Sequence, residues 1–202
     1  MGKLLLLDKP SGVNTVAWQA EHKNTTRQRI LSSAAKLFAL NGYEEVSINQ
    51  VMADAGLTRG AFYSHFKSKS ELHAEAILSS AKEIALSFDN NSNEGFVETY
   101  LSTGHREGGF LRCPLAFMIG DIAQRDLAVR DTYTKVFKGF LSHLVTMDSK
   151  QHIENESDDQ EMAKALQKAV LLIGGVAISR AINDDELAEQ LLKACQNGLL
   201  GD

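Results

Sequence analysis

Arg59 and Tyr63 lie four residues apart in the stretch LTRGAFYSHFKSKSEL, residues 57–72. Thr58, Ser64 and His65 flank them, and Lys67 and Lys69 follow. In a helix, residues four apart share a face, so Arg59 and Tyr63 point one way. Phe62 and Phe66 have the same spacing and point the other way, with Leu57 and Val51 as expected partners. Gly60 and Ala61 are small, which lets the helix approach a large partner closely. The chemistry on offer is recognition. Guanidinium, hydroxyl and imidazole groups match base edges in a DNA major groove, which admits one α-helix. Lys67 and Lys69, with Thr26, Arg27 and Arg29 upstream, would add phosphate contacts that carry no sequence information. Taken alone, the stretch also fits a polar surface helix on an all-α protein.

Cys113 is the second residue with chemical potential. It stands between Arg112 and Pro114, a residue suited to a helix first turn. A neighbouring cation and a helix start would both lower a thiol pKa. Cys113 and Cys195 have no CxxC spacing, so neither a disulfide framework nor a zinc signature is present, and a reducing, cytoplasmic setting is expected. His105 and Cys113 could share a metal, but no clustered ligand set supports one, and no metal or cofactor is expected. There is no P-loop, no GxGxxG, no HExxH and no nucleophile elbow. An enzyme is therefore not expected, and a small helical enzyme stands only as an alternative.

The elements that must position these groups are helical. The chain has 202 residues and 2 prolines, and 44% of its residues are apolar. Ile30, Leu31, Ala34, Ala35, Leu37 and Phe38 form a helical stripe that starts from about Thr25 and stops at Asn41-Gly42-Tyr43. Ser47 should cap a second helix and Thr58 a third. Ser68 with Glu71 reads as a capping box for a long fourth helix running towards Phe88. Further helices are expected from Phe96 to about His105, from Cys113, from Leu127 to Met147, from Gln160 to Ala181, and from Asp184 to Asn197. The last should be capped by Asn183 with Glu186 and stopped by Gly198. That is an all-α chain of about nine helices. Residues 1–20 read as a flexible leader, 21–72 as a helix-turn-helix domain, and 73–202 as a helical ligand-binding and dimerisation domain. The longest apolar run in the C-terminal half, Ala169 to Ile178, is about half a membrane span, so no span is expected.

Charge divides the same way. The net charge is −5, yet residues 21–72 hold seven Lys/Arg against five Asp/Glu. Residues 73–202 hold twelve against twenty. A slightly basic head on an acidic body suits contact with a polyanion at one end only.

The stretch ILSSAAKLFALNGYEEVSINQVMADAGLTRGAFYSHFKSKSELHAEAI resembles the DNA-binding domain of the TetR family of bacterial transcriptional regulators. Its A-xx-LF-xx-NGY, S-I-xx-V and G-xx-Y-xx-F-x-S-K-xx-L features carry the likeness over residues 26–78. The resemblance implies base and phosphate contacts at Thr58, Arg59, Gly60, Tyr63, Ser64 and His65, a phosphate clamp at Lys69, and backbone contacts near Ser47 and Asn49. It also implies a homodimer built by the last two helices, a palindromic double-stranded DNA operator, and repression relieved by a small-molecule inducer. Leu171, Gly174, Gly175 and Ile178, with Leu187 and Leu191, could form that dimer face. The mid-helix glycines would be explained by close helix approach.

In the body, Tyr100, Phe117, Met118, Tyr133 and Phe137 are candidates to line an apolar ligand pocket with Cys113. The segment GGFLRCPLAFMIGDIAQRDLAVRD looks like that of a TetR branch in which some members sense electrophiles or oxidants through a cysteine. Arg112 stands where that branch usually has glycine. A DNA-organising protein of the same fold that needs no ligand is the alternative within the class.

Overall fold

A computed structural model describes residues 13–88, 92–109, 112–149 and 157–201. Eleven helices and no strand occur among them. In order they are α1 Val13–Asn41, α2 Ile48–Asp54, α3 Arg59–Phe62, α4 Lys69–Phe88, α5 Asn93–Tyr100, α6 Thr103–Arg106, α7 Pro114–Phe117, α8 Ile119–Ile122, α9 Leu127–Ser149, α10 Asp158–Ala181 and α11 Asp185–Leu200. Two expected helices are each split by a short break, at Leu101–Ser102 and at Met118. This raises the number above the nine expected.

α1 starts at Val13, well before Thr25; of the expected leader, residues 1–12 lie outside the described residues. The chain then turns through two left-handed glycines, Gly42 and Gly56, with φ of 78° and 65°. At Gly56 the requirement is double. The backbone conformation is costly for L residues, and a Cβ there would lie 3.0 Å from the guanidinium of Arg29. Between the glycines, Ser47 forms a full capping box with Gln50: the Gln50 amide donates to Ser47 Oγ (3.2 Å), and the Ser47 amide donates to Gln50 Oε1 (2.7 Å). Thr58 occupies the N-cap of α3 but makes no side-chain cap bond. Ser68 caps α4, accepting from the Glu71 amide at 3.0 Å. For α11 the cap is Asp184, not Asn183; its carboxylate accepts from the Leu187 amide at 3.0 Å. Gly198 lies inside that helix, and Gly201, with φ of 81°, ends it.

Packing makes two apolar cores. One gathers Ile30, Phe38, Val51, Phe62 and Leu72 from α1–α4 and Phe66 from the turn between α3 and α4, closed from the body side by Met118, Ile122 and Val129. The other gathers Phe96, Tyr100, Leu115, Leu144, Leu172 and Leu192 from α5, α7 and α9–α11. α4 packs along both α1 and α9, and α10 along both α9 and α11. By length and composition α10 could cross a membrane. Here it is packed instead, and its buried Lys168 ammonium donates to Asn93 Oδ1 at 2.5 Å and Asp148 Oδ1 at 2.9 Å.

Candidate nucleic-acid interface and sensor region

The α3 region is built as its spacing requires. Phe62 and Phe66 are buried at 0% and 2% exposure, with ring centroids 5.8 Å apart. Burying a Phe side chain stabilises by roughly 1.5–3 kcal/mol, so this pair fixes which face turns outward. Helical hydrogen bonding is shorter than the sequence suggests. α3 is one turn, and residues 63–65 continue as tight turns, with the Ser64 and His65 amides donating to Ala61 and Phe62 carbonyls at 3.3 and 2.9 Å. The outward face survives this shortening. Thr58, Arg59, Gly60, Tyr63, Ser64 and Lys67 are exposed together, Tyr63 at 61%. Ser47 and Asn49 on α2 are exposed as well.

The remaining members of the candidate set are engaged elsewhere. Arg27 pairs with Glu75 of α4 and lays its guanidinium 4.7 Å from the Phe66 ring centroid. It therefore braces α1 against α4. Thr26 Oγ1 donates to the His22 carbonyl at 2.9 Å. His65 is half-buried, and burial followed by the charges of Lys23 and Arg27 holds its pKa below the ordinary value. Lys69 lies 4.1 Å over the Tyr43 ring, and burial depresses its pKa.

That lysine belongs to a joint between head and body that no local pattern announces. The Tyr43 amide donates to Asp121 Oδ2 at 2.8 Å, and Arg125 binds Glu44 Oε1 at 2.5 Å while lying 4.5 Å over the Tyr43 ring. Ser70 donates to Asp126. Behind them His73 is buried between Phe38 and Tyr43, with its pKa lowered to about 4 by burial.

In the body, the six pocket candidates are divided between the two cores. Tyr100 and Cys113 lie in the body core and Met118 in the head core. Phe117 and Tyr133 pack against both cores, and Phe137 against the body core. Tyr133 donates its hydroxyl to the Leu115 carbonyl at 2.8 Å. Cys113 does occupy an N-cap, ahead of Pro114. Yet Cys113 is 4% exposed, and burial pushes its pKa up, outweighing the neighbouring Tyr100 hydroxyl and the Leu115 and Ala116 amides. The expected lowering of this thiol's pKa is therefore corrected: desolvation wins over the helix start, and Arg112 has no part in the balance.

His105 and Cys113 do meet, through a hydrogen bond. The Cys113 amide donates to His105 Nε2 at 3.3 Å. Nε2 is thus the acceptor, so the proton sits on Nδ1, which donates to the Tyr100 carbonyl at 2.6 Å. Burial lowers the His105 pKa to about 4. The ring stacks on Phe117 at 5.5 Å, and the Arg180 guanidinium lies 3.6 Å from the Phe117 centroid.

On α10, Met162, Leu166, Val170, Gly174 and Ile178 recur every four residues; the four large ones are 42–68% exposed. Leu187 on α11 is exposed too, and Leu171 and Leu191 are half-buried against the body core. Gly175 is the exception in the expected dimer set. It faces inward, and a Cβ there would lie 2.9 Å from Leu101 Cδ2 and 3.1 Å from Cys195 Sγ. Its close approach is within the chain.

The family model described as "Bacterial regulatory proteins, tetR family" matches residues 30–76, the segment whose outward face is described above. That segment belongs to the TetR family. Over 50 residues the chain is 48% identical to the HTH-type transcriptional regulator AcrR of Shigella flexneri, covering 25% of this chain and 23% of that one. It is 35% identical over 75 residues to the HTH-type transcriptional regulator YerO of Bacillus subtilis, covering 37% and 24%. The matches thus span about a quarter of these curated relatives' length. Along nearly the whole chain it shares the fold of a TetR-family transcriptional regulator from Cytophaga hutchinsonii, with TM-score 0.71, 20% identity, and coverage of 89% and 96%.

Proposed function

We propose that this chain is a cytoplasmic, homodimeric DNA-binding transcriptional regulator of the TetR family, acting as a repressor released from a palindromic operator by a small molecule. One observation carries the reading: Thr58, Arg59, Tyr63 and Ser64 stand exposed together on a segment locked by Phe62 and Phe66. The exposed groups contribute little to the head's own core, so DNA recognition is what they are free to do. Lys67, Ser47 and Asn49 supply phosphate contacts at its edges. Lys69 joins them on leaving Tyr43, and His65 contributes as a neutral ring.

The four-residue apolar stripe on α10, with Leu187 and Leu191 of α11, supports a face-to-face dimer. Such a dimer presents its two reading segments about 34–36 Å apart, one DNA turn. Release needs only a ligand that binds one head arrangement better than the other. Ligand contact falls to Phe117, Tyr133 and Phe137, the half-buried members of the aromatic set.

The test is a gel shift with DNA from upstream of the chain's own coding sequence. Tyr63→Ala and Arg59→Ala should each weaken binding about tenfold or more, with unchanged thermal stability. A normal shift from both variants would remove the basis of the reading.

A further inference from the structure

An open cleft of about 190 Å³ lies where α1, α4 and the segment before α7 meet. Lys36 of α1, Ser80, Glu83, Ile84 and Ser87 of α4, and Arg112 border it. The function proposed above makes no use of it. Arg112 forms no ion pair among the described residues, and its Nε is buried without a hydrogen-bond partner. Uncompensated burial of a guanidinium donor is costly. Lys36, also on the border of the cleft, is held by Asp54 at 2.5 Å.

The other polar groups have the opposite character. Ser80 donates to the Arg112 carbonyl at 3.3 Å, and Ser87 to the Ile84 carbonyl at 2.7 Å. Their protons are used, which leaves oxygen lone pairs able to accept. Glu83 borders the same space and forms no ion pair with Arg112, although both are within its walls. The cleft is thus bordered by a guanidinium that forms no ion pair among the described residues and by a carboxylate with two acceptor oxygens.

We propose that this cleft binds a small zwitterion of the α-amino-acid type. Its carboxylate takes the Arg112 fork, for which planar bidentate pairing is the favoured geometry. Its ammonium takes Glu83 and the serine oxygens, and Ile84 receives a short aliphatic group. The volume suits a ligand below the usual 300–1,000 Å³ class. Because Ser80, Glu83, Ile84 and Ser87 lie on α4 and Arg112 on the segment before α7, the occupant joins these two elements. The site stands independently of DNA binding.

The test uses the full chain, isotope-labelled, and follows the Arg112 Nε–H resonance while glycine is added. Glycine should give a saturable shift. Acetate and methylammonium, each carrying half of the charge pattern, should bind about tenfold more weakly or less. Ligand-observed NMR on Arg112→Gln should show glycine binding reduced about tenfold or more. Glu83→Gln, an exposed substitution that leaves the fold intact, should weaken glycine by a similar factor and leave acetate unchanged. No saturable shift with glycine, inorganic phosphate binding as tightly as glycine, or a Glu83→Gln chain that binds glycine normally would each overturn the proposal.

Discussion

Replacing His105 by phenylalanine tests the body's central joint. The ring is 1% exposed and neutral, with its Nδ1 proton given to the Tyr100 carbonyl and its Nε2 accepting from the Cys113 amide. Phenylalanine fills the space but strands one buried carbonyl and one buried amide, each costing about 1–3 kcal/mol. His105→Phe should therefore lose roughly 2–6 kcal/mol at pH 7. The cost should also depend on pH. With a folded pKa of about 4 against the ordinary 6.5, the unfolded chain binds the proton more readily. The stabilisation is complete above pH 6.5 and is lost as pH falls towards 4. Between pH 7 and pH 4.5 the wild type should lose about 2.5 kcal/mol through this group, a loss the phenylalanine variant cannot suffer. Urea unfolding followed by circular dichroism at several pH values measures both quantities. The gap between the two proteins should be widest at pH 7 and narrow by about 2.5 kcal/mol at pH 4.5. A gap independent of pH would refute the lowered pKa of the buried ring, and equal stability at pH 7 would refute the joint itself.

Phe62→Ala should cost about 3–5 kcal/mol and abolish any gel shift, whereas Tyr63→Ala should leave the melting temperature unchanged. Gly175→Ala gains about 1 kcal/mol of helix propensity but crowds Leu101 and Cys195 at 2.9 and 3.1 Å; overpacking of about 1–3 kcal/mol should win, and a raised melting temperature would contradict the inward placement. Val170→Glu puts a charge into the exposed α10 stripe; sedimentation should show monomer, and an intact dimer would dismiss that face. Cys113 should react with iodoacetamide in the folded protein far more slowly than in urea, because burial both shields the thiol and raises its pKa; comparable rates by mass spectrometry would count against it.

The head was legible because its signals are local. The spacing of Phe62, Phe66, Arg59 and Tyr63 determines which side is anchored and which is free, even though only one turn of α3 is helical. The start of α1 escaped a reading based on apolar periodicity: residues 13–24 are mostly polar or small, and only their helix propensity and the lack of Gly or Pro mark them. The α11 cap shifted by one because Asn183 and Asp184 are both good capping residues. The grip of Asp121 and Arg125 on the Tyr43 turn joins residues about eighty apart, a pairing no spacing encodes. The Cys113 thiol depends on how much of the fold closes over it, which neither Arg112 nor Pro114 reveals.

Helix α4 is twenty residues long, about 30 Å at 1.5 Å per residue. Its first half, through Leu72, Ala76 and Ile77, is cemented into the head core, while Ile84 near its far end rests on the body core. A rigid rod gripped at both ends acts as a lever. Tilting it by about 5° carries one end roughly 2.5 Å relative to the other. A repacking too small to disturb the body core is thus enough to move the reading segment by most of a base-pair step.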